Sequence, residues 1–150
     1  MRRFKIKARY GLILIVVAIA AAAMLTFPAR CIHVSGAELL SIPVADLARG
    51  QAQTYCYDDR AGEKIRFVLA RDSDGKIHSV FDACRQCYSS HKGYRVVGDA
   101  IVCRLCGNRY PINHMMVGKA SCMPVELPHQ EAAGAVQVKA ADLRKGRELF

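Results

Sequence analysis

Several patterns that identify common classes of protein are missing from this sequence. Beyond the N-terminus there is no cluster of lysines and arginines interleaved with aromatic residues, which argues against nucleic-acid binding. No Cys-x-x-Cys-His string occurs, which excludes covalent haem attachment. The stretch Asp72-Ser-Asp-Gly75 begins like a calcium loop but lacks the acidic residue at its last position, so it predicts a turn. No Ser/His/Asp or Cys/His catalytic set is evident either, which favours a role other than catalysis.

The positive charge of the chain is concentrated at its start. The formal net charge is +9, and five of these charges precede residue 10, which leaves about +4 for the rest; the five are Arg2, Arg3, Lys5, Lys7 and Arg9. We therefore interpret residues 1–10 as a basic tail on the cytoplasmic side of a membrane, because lysine and arginine are enriched on that side.

An uncharged apolar run of 17 residues, Gly11 to Phe27, follows the basic tail and ends before Pro28. A helix needs about 20 apolar residues, with 17 at the low end, to span a bilayer core. We predict a transmembrane anchor at 11–28, which makes this a single-pass protein of the cell membrane with an extracytoplasmic C-terminal domain. The alternative is a cleaved signal sequence, which the four alanines at 20–23 fit.

The exported part is predicted to consist of a spacer at 29–42 and one metal-binding domain at 43–150. Apolar and polar residues alternate in several short segments that are bounded by turn residues, as in half-buried strands. We predict a small β-rich (α+β) domain with two cysteine knuckles on hairpins, preceded by one transmembrane helix. The predicted strands are 51–57, 64–71, 77–83, 95–97, 100–102 and 135–140, and residues 113–130 are predicted to be irregular.

Two Cys-x-x-Cys pairs, Cys84/Cys87 and Cys103/Cys106, lie 15 residues apart. This spacing is typical of a metal site in which two knuckles supply four thiolates to one centre. Zinc, a single iron and an iron–sulfur cluster all accept four sulfur ligands, so the spacing does not choose among them. Structural disulfides and thiol exchange are the alternatives in an exported domain.

A group of soft ligands lies near the cysteines in the sequence. Imidazole and thioether groups suit copper, so the group raises the possibility of soft-metal handling. Methionine more often fills gaps in a core, and we prefer that interpretation. The residues concerned are His114, Met115, Met116, Met123 and His129.

The strings around the cysteines closely resemble the FtrD-like family of membrane iron–sulfur proteins, from about Pro43 to the C-terminus. They are Phe81-Asp-Ala-Cys84, Cys87-Tyr88, Lys92-Gly93-Tyr94, Gly98, Cys103, Cys106-Gly107 and Tyr110-Pro-Ile-Asn113. The resemblance implies a ferredoxin-like redox protein of bacterial ferrous-iron uptake systems. It further implies an iron–sulfur cluster or iron at the four cysteines, and a membrane permease and a redox protein as partners.

A fifth cysteine, Cys122, stands before Met123 and Pro124 and matches a cysteine that precedes a proline in the family pattern. The residues around it depart from that pattern, so three roles stay open: an additional ligand, a replacement for one of the four, or a disulfide partner of Cys56. The resulting hypothesis is a non-catalytic electron carrier linked to iron transport. The alternatives are a structural zinc domain that docks on a membrane complex and a protein that handles copper.

Overall fold

The computed structural model describes residues 31–59, 62–116 and 122–150. The predicted basic tail at 1–10 and the predicted membrane anchor at 11–28 lie outside the described residues. Within the described residues, no helix is long and apolar enough to cross a membrane.

The described part of Cys31–Phe150 is built almost entirely of strands, which confirms the β-rich prediction. They are β1 (Ile32–Val34), β2 (Leu39–Pro43), β3 (Gln51–Asp58), β4 (Lys64–Arg71), β5 (Ile77–Cys84), β6 (Tyr94–Val97), β7 (Ala100–Cys103), β8 (Arg109–Pro111), β9 (Pro124–Glu126), β10 (Gln130–Ala132) and β11 (Ala135–Lys139). One α-helix, α1 (Ala140–Lys145), follows β11. The strands form a five-stranded sheet in the order β1-β3-β4-β5-β9 and two three-stranded sheets, β10-β11-β2 and β6-β7-β8.

The centre of the large sheet is the antiparallel meander β3-β4-β5. Strand β4 pairs with β3 from Asp58↔Lys64 to Gln51↔Arg71 and with β5 from Phe67↔Phe81 to Arg71↔Ile77. The turn between β4 and β5 is tied by Asp72, whose carboxylate accepts hydrogen bonds from the backbone amides of Asp74 and Lys76 at 3.0 and 2.9 Å. The turn predicted at 72–75 is thus confirmed.

Strand β4 is buried on both faces, so the two faces of the sheet support two separate cores. Ile65, Phe67 and Leu69 contribute to one core, which also contains residues of β2, β11 and α1. Val68 and Ala70 belong to the other core, which is formed with the sheet β6-β7-β8. Alternate residues of a strand point to opposite faces, which accounts for this division. The second core contains two of the predicted ligands, Cys84 and Cys103.

Two sequence-based predictions need correction. From Cys31 onward the predicted spacer at 29–42 carries strands β1 and β2, and β2 pairs with β11 from Leu39↔Lys139 to Pro43↔Ala135. The segment predicted to be irregular, 113–130, contains β9, which extends the large sheet beside β5. Both segments depend on pairing with strands that are distant in the sequence, and periodicity within strands of three to five residues is too short to reveal that pairing.

A disulfide joins Cys31 to Cys56. Strand β1 runs parallel to β3, with His33 opposite Cys56, so the bond connects the residue before the edge strand β1 to the neighbouring strand β3. The pairing excludes Cys56 as the disulfide partner of Cys122, which was one of the three roles left open for that residue. The remaining five cysteines are free thiols.

Candidate metal centre

The first knuckle begins where β5 ends, at Cys84. The amide of Cys87 donates to the carbonyl of Cys84 at 3.0 Å, and the amide of Ser90 donates to the carbonyl of Cys87 at 3.1 Å. These two successive turns reverse the chain and bring both thiols to the same side. Cys84 is buried, and Cys87 is half-buried.

The second knuckle begins where β7 ends, at Cys103. The amide of Gly107 donates to the carbonyl of Cys103 at 3.0 Å, and the amide of Cys103 donates to the carbonyl of Asn108 at 2.9 Å. Gly107 has a φ of +74°, a conformation that glycine adopts without strain, so the turn closes directly after Cys106. Cys103 is buried, whereas Cys106 is exposed.

Cys122 lies between the two knuckles. Its Sγ is 3.7 Å from Cys84 Sγ, 3.9 Å from Cys87 Sγ and 3.7 Å from Cys106 Sγ. Two groups of thiols have sulfurs that all lie within 4.8 Å of one another, and both groups include Cys87: the first is Cys84, Cys87 and Cys103, and the second is Cys87, Cys106 and Cys122. The structure therefore brings together the four predicted ligands and adds the fifth thiol to them.

The segment that carries Cys122 is attached to both knuckles through its backbone. The amide of Arg85 donates to the carbonyl of Met123 at 2.9 Å, next to the pairing of β9 with Cys84. The hydroxyl of Tyr110, on β8, donates to the carbonyl of Cys122. These contacts fix the position of the fifth thiol independently of any bond to its sulfur.

A buried carboxylate connects the two knuckles. Asp82, two residues before Cys84, accepts a hydrogen bond from the amide of Tyr94 at 2.5 Å and lies 3.3 Å from Arg66 Nε. Arg104 in turn donates from its amide to the carbonyl of Gly93 at 3.0 Å and from Nε to the carbonyl of Tyr94 at 2.8 Å. The chain before Cys84 and the chain after Cys103 are thus both held to residues 93–94.

The ionisation of the thiols differs between positions. Burial opposes the ionisation of Cys84, but hydrogen bonds from the amides of Gln86 and Cys87 outweigh it and lower the pKa. The pKa of Cys106 is also lowered, because the Asn108 amide and neighbouring thiols outweigh the effect of burial.

Burial raises the pKa of Cys87 and of Cys103, and it raises the pKa of Cys122 to about 11. A bound cation lowers the pKa of a thiol that it ligates. The three thiols with raised pKa values are therefore the ones whose deprotonation depends most on a metal.

Large apolar side chains lie on the surface around the thiols and in the core beneath them. Leu105 is 52% exposed and Tyr88 is 43% exposed, one in each knuckle, although both are large and apolar. Beneath the thiols, the buried rings of Tyr94 and Tyr110 meet edge to face with centroids 6.0 Å apart. The site is consequently closed on the core side and open on the side of Cys106.

Four of the five residues considered as soft ligands, His114, Met115, Met116 and His129, line one surface cavity, but their side chains differ in burial and in partners. Met115 is fully buried in the second core, and Met116 packs against it, as expected for residues that fill a core. His129 Nδ1 lies 3.1 Å from the Ser79 hydroxyl, and His114 is exposed. Within the described residues, the groups of three or more candidate histidine, cysteine or carboxylate ligands consist of cysteines alone.

Sequence reasoning identified the four knuckle cysteines from their spacing but left the place of Cys122 open. The place of Cys122 depends on strand β9, which begins at Pro124 two residues later and pairs with β5. A strand beginning there and lying beside the end of β5 necessarily brings Cys122 close to Cys84.

The chain is similar to one protein family in sequence and to solved structures. A family model described as "Membrane iron-sulfur containing protein FtrD-like" matches residues 47–150. No curated protein matches the chain. Among solved structures, the crystal structure of the quaternary ammonium Rieske monooxygenase CntA with a bound inhibitor is similar at 16% sequence identity and a TM-score of 0.41. That similarity covers 61% of this chain and 28% of the other, and at so low a score it supports no argument.

Proposed function

The chain belongs to the FtrD-like family of membrane iron–sulfur proteins, and on that premise we propose that its thiol cluster holds iron or an iron–sulfur cluster for electron transfer linked to iron transport. The ligands that we propose are Cys84, Cys87, Cys103 and Cys106, and Cys122 is the candidate for a fifth ligand or for a replacement of one of the four. The observation that supports the proposal most directly is that these five free thiols form two adjoining groups that share Cys87. Five thiols in one place without a disulfide between them are difficult to explain as a scaffold.

The residues present fit such a centre. A metal bound to four sulfurs at about 2.3 Å separates those sulfurs by roughly 3.8 Å. The three distances from Cys122 Sγ to neighbouring thiols, 3.7 to 3.9 Å, match that separation. Backbone amides also point at sulfur, as those of Gln86 and Cys87 do at Cys84, and donors of this kind stabilise thiolate ligands.

The charge of the ligands also requires compensation. Four thiolates around a divalent ion leave a net charge of about −2. Arg85 and Lys92 are exposed in or beside the first knuckle, and Arg104 follows Cys103 directly. Arg109 contributes less, because it forms an ion pair with Asp99 at 2.7 Å. Positive charges close to an iron–sulfur centre raise its reduction potential.

When bound, the centre would supply reversible one-electron chemistry. The chain determines where the electron enters and leaves, because Cys84 and Cys103 are buried and Cys106 is exposed. Tyr94 and Tyr110 exclude water from the buried side. A redox partner would therefore approach the side of Cys106, Leu105 and Tyr88, and no catalytic group is needed there.

We further propose an extracytoplasmic location on a single-pass membrane protein, with a permease and a redox protein as partners. The N-terminal positive charges support this orientation. The disulfide between Cys31 and Cys56 supports it independently, because disulfides persist in oxidising compartments and are rare in the cytosol.

The proposal is tested by purifying the full chain without air and measuring iron, zinc, acid-labile sulfide and the visible spectrum. We expect iron, a coloured protein, and reversible bleaching on reduction. Cys103→Ser should lose or shift the spectrum because serine oxygen replaces a sulfur ligand. Gln86→Ala is the control, since its backbone amide and all the thiols remain.

The same spectra establish the part played by the fifth thiol. If Cys122 is a ligand, Cys122→Ser changes the spectrum as Cys103→Ser does. If Cys122→Ser keeps the wild-type spectrum, Cys122 is not a ligand, and the ligands are Cys84, Cys87, Cys103 and Cys106. Colourless wild-type protein with stoichiometric zinc would refute the redox proposal and leave the structural zinc alternative.

A further inference from the structure

A second sulfur site lies outside the thiol cluster, at the edge of the large sheet. The disulfide between Cys31 and Cys56 links two positions that differ in burial, since Cys31 is half-buried and Cys56 is only 4% exposed. A thiol from another molecule can therefore approach the sulfur of Cys31 much more easily than that of Cys56. This asymmetry determines which sulfur of the bond is attacked.

An imidazole lies next to the accessible sulfur. His33 Nε2 is 3.9 Å from Cys31 Sγ, and His33 Nδ1 is 2.9 Å from Asp58 Oδ2. The carboxylate accepts the Nδ1–H, so Nε2 is the ring nitrogen that faces the sulfur. Cysteine, histidine and a carboxylate in this order are the arrangement in which an imidazole exchanges a proton with a thiol and stabilises its thiolate.

The arrangement follows from the strand pairing rather than from one flexible side chain. His33 is opposite Cys56 in the parallel β1–β3 ladder, and Asp58 lies two residues beyond Cys56 on the same strand. Positions two apart on a strand share a face, so the carboxylate and one of the two sulfurs project to the same side. The pairing of β1 with β3 thus brings the imidazole of His33 close to the disulfide and to the carboxylate of Asp58.

We propose that this disulfide is an exchangeable redox site at which a protein dithiol reduces Cys31–Cys56 with His33 as the acid–base group. A donor thiol gives its proton to His33 Nε2 and, as the thiolate, attacks Cys31 Sγ; the bond between the two cysteines breaks, and Cys56 leaves as a thiolate that takes a proton from water. The second donor thiolate then attacks the donor sulfur bound to Cys31. Cys31 leaves and takes a proton from His33 Nε2.

The overall reaction is balanced. Two electrons and two protons pass from the dithiol to Cys31 and Cys56, and the donor becomes a disulfide. Oxidation of the pair is the same sequence in reverse, with Cys31 as the attacking thiolate. The proposal does not depend on the metal centre, because none of the four residues belongs to the thiol cluster.

The chain contains a matched control for the imidazole. His78 Nε2 lies 2.9 Å from Asp72 Oδ2, the same separation as in the His33–Asp58 pair, and neither residue is part of the disulfide. Removing His78 therefore breaks a histidine–aspartate pair of the same length, in a more buried place, without changing the groups around the disulfide.

The first test measures how fast dithiothreitol reduces the disulfide in the full-length folded protein at pH 7, with alkylation and peptide mass mapping to follow Cys31 and Cys56 separately from the cluster. Loss of an acid–base group slows proton transfer by a large factor, so we expect His33→Ala and His33→Gln to react at least about tenfold more slowly than wild type. His78→Ala should react at the wild-type rate. Wild-type rates in both His33 variants, or a wild-type disulfide that is reduced only after denaturation, would overturn the proposal.

The second test examines the order of attack with single-thiol variants. Cys56→Ser leaves Cys31 free, and Cys31→Ser leaves Cys56 free. Ellman's reagent should modify Cys31 in the first variant at least about tenfold faster than Cys56 in the second, as accessibility and thiolate character both favour Cys31. Equal rates would contradict the assignment of Cys31 as the attacked sulfur. Peptide mapping identifies the modified residue in each case.

Discussion

Replacement of Gly93 by alanine tests whether the buried carboxylate of Asp82, which connects the two knuckles, stabilises the fold. Gly93 has a φ of +63°, and an added methyl group would lie 2.5 Å from Asp82 Oδ2 and 2.6 Å from Oδ1. Side chains do not approach so closely, so the buried carboxylate has to move. Its hydrogen bond from the Tyr94 amide and its ion pair with Arg66 are then weakened or lost.

The expected loss of stability has two parts. A left-handed conformation costs a non-glycine residue about 1–2 kcal/mol. Loss of a hydrogen bond to a charged group costs about 1.5–3 kcal/mol more. Gly98→Ala is the matched control, since Gly98 has a φ of +57° but no atom within 4 Å of the added methyl group. Gly98→Ala should therefore lose only the roughly 1–2 kcal/mol that the left-handed conformation costs.

Urea unfolding of both variants, followed by far-ultraviolet circular dichroism, gives the difference directly. We expect Gly93→Ala to be less stable than Gly98→Ala by about 1.5–3 kcal/mol. Gly93→Ala should also retain less metal, because the carbonyl of Gly93 accepts a hydrogen bond from Arg104, next to Cys103. Unfolding midpoints that agree between the two variants would refute the role assigned to the carboxylate.

Two further changes have definite outcomes. The hydrogen bond from His78 holds the pKa of Asp72 below its usual 3.8, so the bond stabilises the folded state above about pH 3.8 and this stability is lost as the pH falls through the lowered value. Asp72→Asn should thus be less stable than wild type at pH 7. Urea unfolding at pH 7, 4 and 3 should show that the difference in unfolding free energy between the two proteins becomes smaller as the pH falls. A difference that does not change with pH would contradict the stabilising role of the Asp72 carboxylate. Gly146→Ala should lower the melting temperature by several degrees, because the methyl group would overlap the Phe81 ring and force the C-terminal turn away from the sheet. An unchanged melting temperature would show that the ring moves without cost.

Local sequence patterns were sufficient for the central meander and for the two knuckles. Lys64–Arg71 was predicted from its alternation and is strand β4 with the same limits. The spacing of Cys84, Cys87, Cys103 and Cys106 predicted convergence because each knuckle is a local turn at the end of a strand. Both predictions rest on residues that are neighbours in sequence, so no knowledge of distant pairing was required.

The features that were not predicted all depend on distant pairing. Cys122 reaches the site because β9 pairs with β5, and β9 has only three residues, the first of which is Pro124. The connection of Cys31 to Cys56 spans 25 residues, and disulfide pairing cannot be deduced from sequence alone. His33 and Asp58 are likewise brought together only by the parallel register of β1 and β3.

The separation of the two cores bears on what a metal does in this domain. The first core contains 17 buried residues, and none of them is a cluster thiol. The second contains ten, including Cys84 and Cys103. Domains that need a metal to fold are those whose apolar core is too small without it. Here the face of the sheet opposite the thiols has an extensive apolar core of its own, so a metal is not needed to supply one. A centre held in place by backbone contacts from three chain segments and open at Cys106 would be accessible to a redox partner, as the proposed function requires.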